Sequence, residues 1–148
     1  MIFARCIFVM VAGAVMGTAG LTSGQPVNDL PNPYTTHQGY FKLTDGRAWG
    51  STSAVEIDID GTSVWVGERC GQNSCAGSNL DPVLKYDTAG NLVTSFGAGL
   101  LLFPHGIHVD GDGNVWITDA QGPRDDAPET AGLGHRVIKF SPTGDVLL

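Results

Sequence analysis

The chain states the same pattern twice, and that repetition limits what it can fold into. Ile57 to Val66 reads IDIDGTSVWV, and Val109 to Ile117 reads VDGDGNVWI. Each is followed by a second matching stretch: Val83 to Val93 reads VLKYDTAGNLV, and Val137 to Leu147 reads VIKFSPTGDVL. The order within each copy is strand, Asp/Gly turn, Trp-bearing strand, loop, strand, Gly turn, strand. Trp65 corresponds to Trp116, and Lys85 to Lys139. A period near fifty built from short strands predicts an all-β fold in which each repeat is one blade of a β-propeller.

The length is 148 residues. A closed ring of roughly four to eight blades, at about 40 to 50 residues each, needs more chain than this. The expectation is therefore a partial propeller of about two to two and a half blades, the N-terminal part of a longer ring. Such a ring segment exposes an unpaired blade edge and is expected to self-associate. The formal charge is −7. No Lys/Arg cluster occurs, which argues against a nucleic-acid partner, since that needs a basic face.

The first residues read as a separate segment. Arg5 supplies a positive start, Cys6 to Val15 is apolar (CIFVMVAGAV), and Gly17-Thr18-Ala19 offers a small-residue cleavage site. Residues 1–19 are read as a signal helix, and the protein as secreted or periplasmic. With the signal cleaved, no stable membrane insertion is expected; the alternative is an uncleaved N-terminal membrane anchor. Residues 20–34 form a Pro/Asn/Gly-rich linker, and residues 35–148 the propeller part. Cys70 and Cys75 enclose a short polar loop, CGQNSC. In an oxidising compartment a disulfide is the favoured reading, with a free thiol pair as the alternative.

Apolar and polar residues alternate with a period of two in the mature chain, and no amphipathic helix is apparent. Gly39 to Gly50 reads as a leading strand and turn, and Ser51 to Ile59 as the first strand of the repeat. Val83–Tyr86 and Leu92–Phe96 read as a hairpin across the turn string Asp87–Asn91. Ile107–Asp110 and Val115–Thr118 read as another, and Val137–Phe140 with Val146 onward as the last. Trp65 and Trp116 are predicted to pack one blade against the next.

Few residues could carry chemistry. Asp110-Gly-Asp112-Gly-Asn114 opens like a calcium loop, but an EF-hand needs Gly and Glu where Val115 and Gln121 stand. Asp58 and Asp60 recur at the corresponding places, so these carboxylates read as turn formers. His105, in Pro104-His105-Gly106, precedes an inner strand, and a neutral imidazole there can bind a transition metal. His108 falls on the Gly106 face of that strand. His135 reads as a surface residue. Arg69 follows the Trp65 strand, where the second repeat has Ala120. An arginine that breaks the repeat beside a stapled loop is a site candidate, suited to carboxylates; the alternative is a salt bridge to Glu68 or an acidic loop. No GxGxxG or P-loop string is present.

The strings Val64-Trp-Val-Gly-Glu-Arg-Cys70, Phe103-Pro-His-Gly-Ile-His-Val-Asp110, Asp112-Gly-Asn-Val-Trp-Ile-Thr-Asp119 and His135-Arg-Val-Ile-Lys-Phe-Ser-Pro-Thr-Gly144 resemble NHL-repeat six-bladed propellers. Within that group they are most similar to the peptidyl-α-hydroxyglycine α-amidating lyases and their bacterial relatives. The resemblance spans about Ala54 to Leu148. It implies a zinc ion held by three histidines from different blades, a structural calcium held largely by backbone carbonyls, and cleavage of a peptidyl-α-hydroxyglycine into an amidated peptide and glyoxylate. His105 matches the first zinc histidine and Arg69 the active-site arginine. Val55 and Ile107 match positions that offer carbonyls to calcium. The remaining ligands of that family have no counterparts here, so this chain alone is expected to bind zinc poorly and to lack lyase activity. Two other readings compete. One is a non-catalytic NHL module binding a protein, peptide or glycan. The other is a metal-dependent lactonase of the gluconolactonase type, for which the Glu/Asn/Asp ligand set is not evident.

Overall fold

The computed structural model describes residues 29–44 and 46–148. The expected signal segment, 1–19, and the first part of the linker lie outside the described residues. Residues up to Thr35 and those from Thr36 onward form two separate units. In the first, residues 29–34 are all exposed, and the Tyr34 N–H donates to Asn32 Oδ1 at 3.0 Å.

The second unit is all-β apart from one 3-10 turn, Pro128–Thr130. Strands β1 (Thr52–Ile57), β2 (Val64–Glu68), β3 (Val83–Tyr86) and β4 (Leu92–Phe96) form one antiparallel sheet in that order. Strands β5 (Pro104–Val109), β6 (Val115–Asp119) and β7 (Arg136–Phe140) form a second. The alternating pattern thus yields meanders, in which short Gly- or Asp-bearing turns join β1 to β2, β3 to β4 and β5 to β6, and long loops join β2 to β3 and β6 to β7. The β3–β4 hairpin falls on the predicted residues. After β7 the expected partner is short: Val146 bridges Phe140, and Lys139 exchanges backbone bonds with Leu147 and Leu148.

Period-two alternation gives each sheet two faces. One face of the first sheet meets one face of the second in a shared core: Trp65, Val83, Phe96 and Leu101 pack with Val109, Val115, Ile117, Ile138 and Phe140. Phe96 stands between Trp65 and Phe140, with ring centroids 5.4 and 5.0 Å away. Burial of these aliphatic and aromatic side chains together holds the two sheets against each other. The other face of the first sheet carries Val66, Leu84 and Tyr86.

Phe41 and Leu43 cover that second face. Among the described residues of Gly39–Gly50, the expected leading strand does not form. Gly39 and Gly46 adopt positive φ, and the segment makes one ladder-like bond, Lys42 N–H to the Gly90 carbonyl at 2.9 Å. Its aromatic side chains dock instead, Phe41 and Trp49 lying 4.7 and 5.9 Å from the Tyr86 ring.

The repeated Asp, Trp and Lys form one network per sheet. Asp58 Oδ2 accepts from Trp65 Nε1 at 2.7 Å and pairs with Lys85 at 2.5 Å. Asp110 Oδ2 accepts from Trp116 Nε1 at 2.9 Å and pairs with Lys139 at 3.0 Å. Asp110 also takes the N–H groups of Asp112 and Asn114. The calcium-like string is thus a hairpin turn whose carboxylate serves its own loop and strand. Trp65 is fully buried as predicted, whereas Trp116 is only half-buried.

Candidate functional site

The candidate residues gather where the first strands of the two sheets, β1 and β5, pack together. Both strands are irregular at the same place. Pairing jumps from Thr52 to Ala54 in β1 and from Pro104 to Gly106 in β5, so Ser53 and His105 are the extra residues of two equivalent bulges. A bulge re-aims a side chain out of the pleat. His105 is exposed there, and the Ser53 hydroxyl donates to the Pro104 carbonyl at 2.7 Å. The alternation in sequence gives no sign of either bulge.

Arg69 follows β2 and is 9% exposed. Its chain direction changes at once, because Cys70 has φ 54° and Gly71 φ 75°. The guanidinium lies over the Phe103 ring, with Cζ 3.4 Å from the centroid. Arg69 Nε donates to the Pro104 carbonyl at 3.2 Å, and Nη1 to Asn73 Oδ1 at 2.6 Å. Nη2 has no hydrogen bond among the described residues. Burial lowers the pKa of this guanidinium, which nonetheless stays charged. Among the described residues, the salt bridge considered as its alternative use does not form. Glu68, fully buried, pairs with Arg47 and accepts the N–H groups of Gly50 and Gly71 at 3.1 and 3.0 Å.

Phe103 links the two predicted residues. Its ring meets the Arg69 guanidinium and stacks near the His105 imidazole, with centroids 6.3 Å apart. Arg69 and His105 are therefore neighbours through one phenyl ring and one carbonyl. Phe103 was not singled out from sequence; only its adjacency to Pro104-His105 could have drawn notice.

The predicted disulfide is present between Cys70 and Cys75. It closes the loop that carries Asn73, and that loop bonds to the segment leading into β5, where the Leu102 carbonyl accepts from Cys75 N at 2.8 Å and Ser74 Oγ at 3.2 Å. Beside this loop lies a groove of about 400 Å³, lined among others by Gln72, Asn73, Phe103, Gln121, Arg124 and Glu129. No sequence signal pointed to it, because it forms between two loops of irregular pattern.

Val55 and Ile107 occupy equivalent register positions, opposite Val66 and Ile117. Val55 has an exposed side chain, and Ile107 packs against the shared core. His108 lies opposite Trp116, on the Gly106 face as expected, and approaches Glu56 at 3.6 Å. His135 is exposed. Among the described residues, no three His, Cys, Asp or Glu side chains converge as a metal site. His105 would be a single zinc ligand where three are usual, so the residues described do not complete a zinc centre. Among the same residues, no helix is long and apolar enough to cross a membrane.

No family profile matches this chain, and neither does any curated protein sequence.

Proposed function

We propose that this chain is part of an NHL-type propeller of the amidating-lyase kind, and that Arg69 is its carboxylate-binding group. The observation that carries the reading is the held guanidinium: ring below, Pro104 carbonyl and Asn73 at two nitrogens, and Nη2 left over. A fixed guanidinium loses little freedom when it takes a carboxylate. The lyase reaction has a carboxylate on the carbon whose C–N bond breaks. The hydroxyl proton leaves as the C=O of glyoxylate forms, and the departing amide nitrogen takes up a proton. The carboxylate persists from substrate to product, so one arginine serves throughout, and it can also offset charge growing on the hydroxyl oxygen. His105 is read as one zinc ligand, and the Val55 and Ile107 carbonyls as calcium contacts in that family's arrangement. No step is assigned to either metal. Turnover by this chain alone is not expected. Export across a membrane remains the reading of residues 1–19, and the Cys70–Cys75 bond suits an oxidising compartment.

The test is a calorimetric titration with an N-acyl-α-hydroxyglycine and with glyoxylate. Wild type should bind both, and Arg69→Lys should lose tenfold or more in affinity. Equal affinity in the two proteins would overturn the reading. A second reading, a non-catalytic module for a peptide or glycan, is supported by the polar groove beside Asn73. In that case Arg69→Lys would leave carboxylate affinity unchanged, while substitutions at Gln72 and Gln121 would weaken binding of an uncharged peptide or oligosaccharide.

A further inference from the structure

We infer that Asp119 is a positioning residue for Arg69, acting through the segment Leu102–Phe103–Pro104. Asp119 ends β6 and is 2% exposed. Its two oxygens accept the N–H groups of Leu102 at 2.9 Å and Phe103 at 2.5 Å. The next residue completes the grip, since Ala120 N–H donates to the Phe103 carbonyl at 3.0 Å. The Leu102 carbonyl takes Cys75 and Ser74, and the Pro104 carbonyl takes Arg69 and Ser53. Proline has no N–H to place. Every polar backbone atom of the tripeptide is therefore engaged, and only Asp119 and Ala120 hold it from its own sheet.

The consequence falls on Arg69. Of the three contacts that orient its guanidinium, the Phe103 ring and the Pro104 carbonyl belong to this tripeptide. Arg69 leaves the first sheet, but the second sheet sets where its charge lies, and Asp119 fixes that part of the second sheet. A buried carboxylate with two backbone donors holds them in one geometry, because an unpaired charge there would be costly. Asp119→Asn keeps one acceptor and turns a donor toward an N–H, which loosens one of the two bonds.

The experiment reads the guanidinium directly, on the full 148-residue chain. In wild type the Arg69 Nε–H should give an NMR signal displaced upfield by the Phe103 ring and protected from solvent exchange. Asp119→Asn should lose part of both effects, and Asp119→Ala all of both, with the β-sheet amide pattern retained. Asp58→Asn, which alters a carboxylate with no bond to Arg69 or its surroundings, should leave the signal unchanged. If Asp119→Ala does not fold, Asp119→Asn decides. An unaltered Arg69 signal in Asp119→Asn, or an equal loss in Asp58→Asn, overturns the inference. It rests on the carboxylate reading only for what Arg69 holds. A lost signal with unchanged glyoxylate affinity upholds the positioning role and removes the carboxylate role. An unaltered signal beside an affinity loss in Arg69→Lys does the reverse.

Discussion

Trp65 and Trp116 make the same indole hydrogen bond in their own sheets, to Asp58 and Asp110, yet only Trp65 is sealed from water. The difference lies in what covers each face. Trp65 packs in the core shared with the second sheet. The repeat's lysine lies over both rings, Lys85 at 5.3 Å from Trp65 and Lys139 at 4.8 Å from Trp116, but Trp116 stands outside that core and is only half-buried. Truncating a buried Trp removes its transfer free energy and leaves a cavity, so Trp65→Ala should cost about 3–5 kcal/mol. Trp116→Ala should cost less, on the order of 1–2 kcal/mol, because water already reaches one side. Urea titrations of both variants at neutral pH measure the difference. Equal costs would contradict the packing described here.

Asp58 gives the chain a dependence on acid. Burial pushes its carboxyl up, but hydrogen bonds from Lys85, the Asp60 N–H and Trp65 together outweigh it, and the pKa falls below the ordinary carboxylate value. The folded form then holds its proton less tightly than the unfolded chain. Its stabilisation is present in full above the unfolded value and fades as pH drops through the lowered folded value. The urea midpoint of wild type should therefore fall as pH goes below about 4. In Asp58→Asn the midpoint should start lower at neutral pH and fall less over the same range. Parallel profiles for the two proteins would remove Asp58 as the source.

The alternation that revealed the strands was legible because it reports burial on one face, and it placed β3 and β4 on their observed residues. The turns were legible because Asp and Gly at fixed offsets leave few other conformations. What stayed hidden depends on contacts between distant segments. The bulges at Ser53 and His105 follow from how β1 and β5 meet, and a bulge inserts without changing residue type. In the sequence Phe103 only leads into the second repeat and Asp119 only opens a polar loop; the fold puts the Phe103 ring against Arg69 and the Asp119 carboxylate on the Phe103 N–H. The segment before Ser51 misled for a related reason. Its apolar residues look like a strand, but their partner is a sheet face and not a ladder.

The Cys70–Cys75 bond should stabilise the fold modestly. Both half-cystines are 4% exposed, and they close a short loop. Loop-closure entropy for a ring of this size is about 2 kcal/mol, at the low end for disulfides. Replacing both cysteines with Ser should lower Tm by several degrees and should also free Asn73, since the loop carries it against Arg69. A calorimetric scan of the double variant checks the first effect. Exchange of the Arg69 Nη1 protons, which donate to Asn73 Oδ1, checks the second, and it should be faster than in wild type. An unchanged Tm with faster exchange would separate local from global stabilisation.

Zinc affinity tests the metal reading from the other direction. A catalytic zinc usually rests on three protein ligands. His105 is exposed on its bulge, and among the described residues no two further His, Cys, Asp or Glu side chains join it. The imidazole stands near the Phe103 ring, which also carries the Arg69 guanidinium, and that positive charge opposes a cation. The full chain should thus bind zinc more weakly than micromolar in competition with a chromogenic chelator, and His105→Ala should change that little. A stoichiometric micromolar site that His105→Ala abolishes would show that this imidazole gathers ligands that the arrangement around Phe103 does not supply.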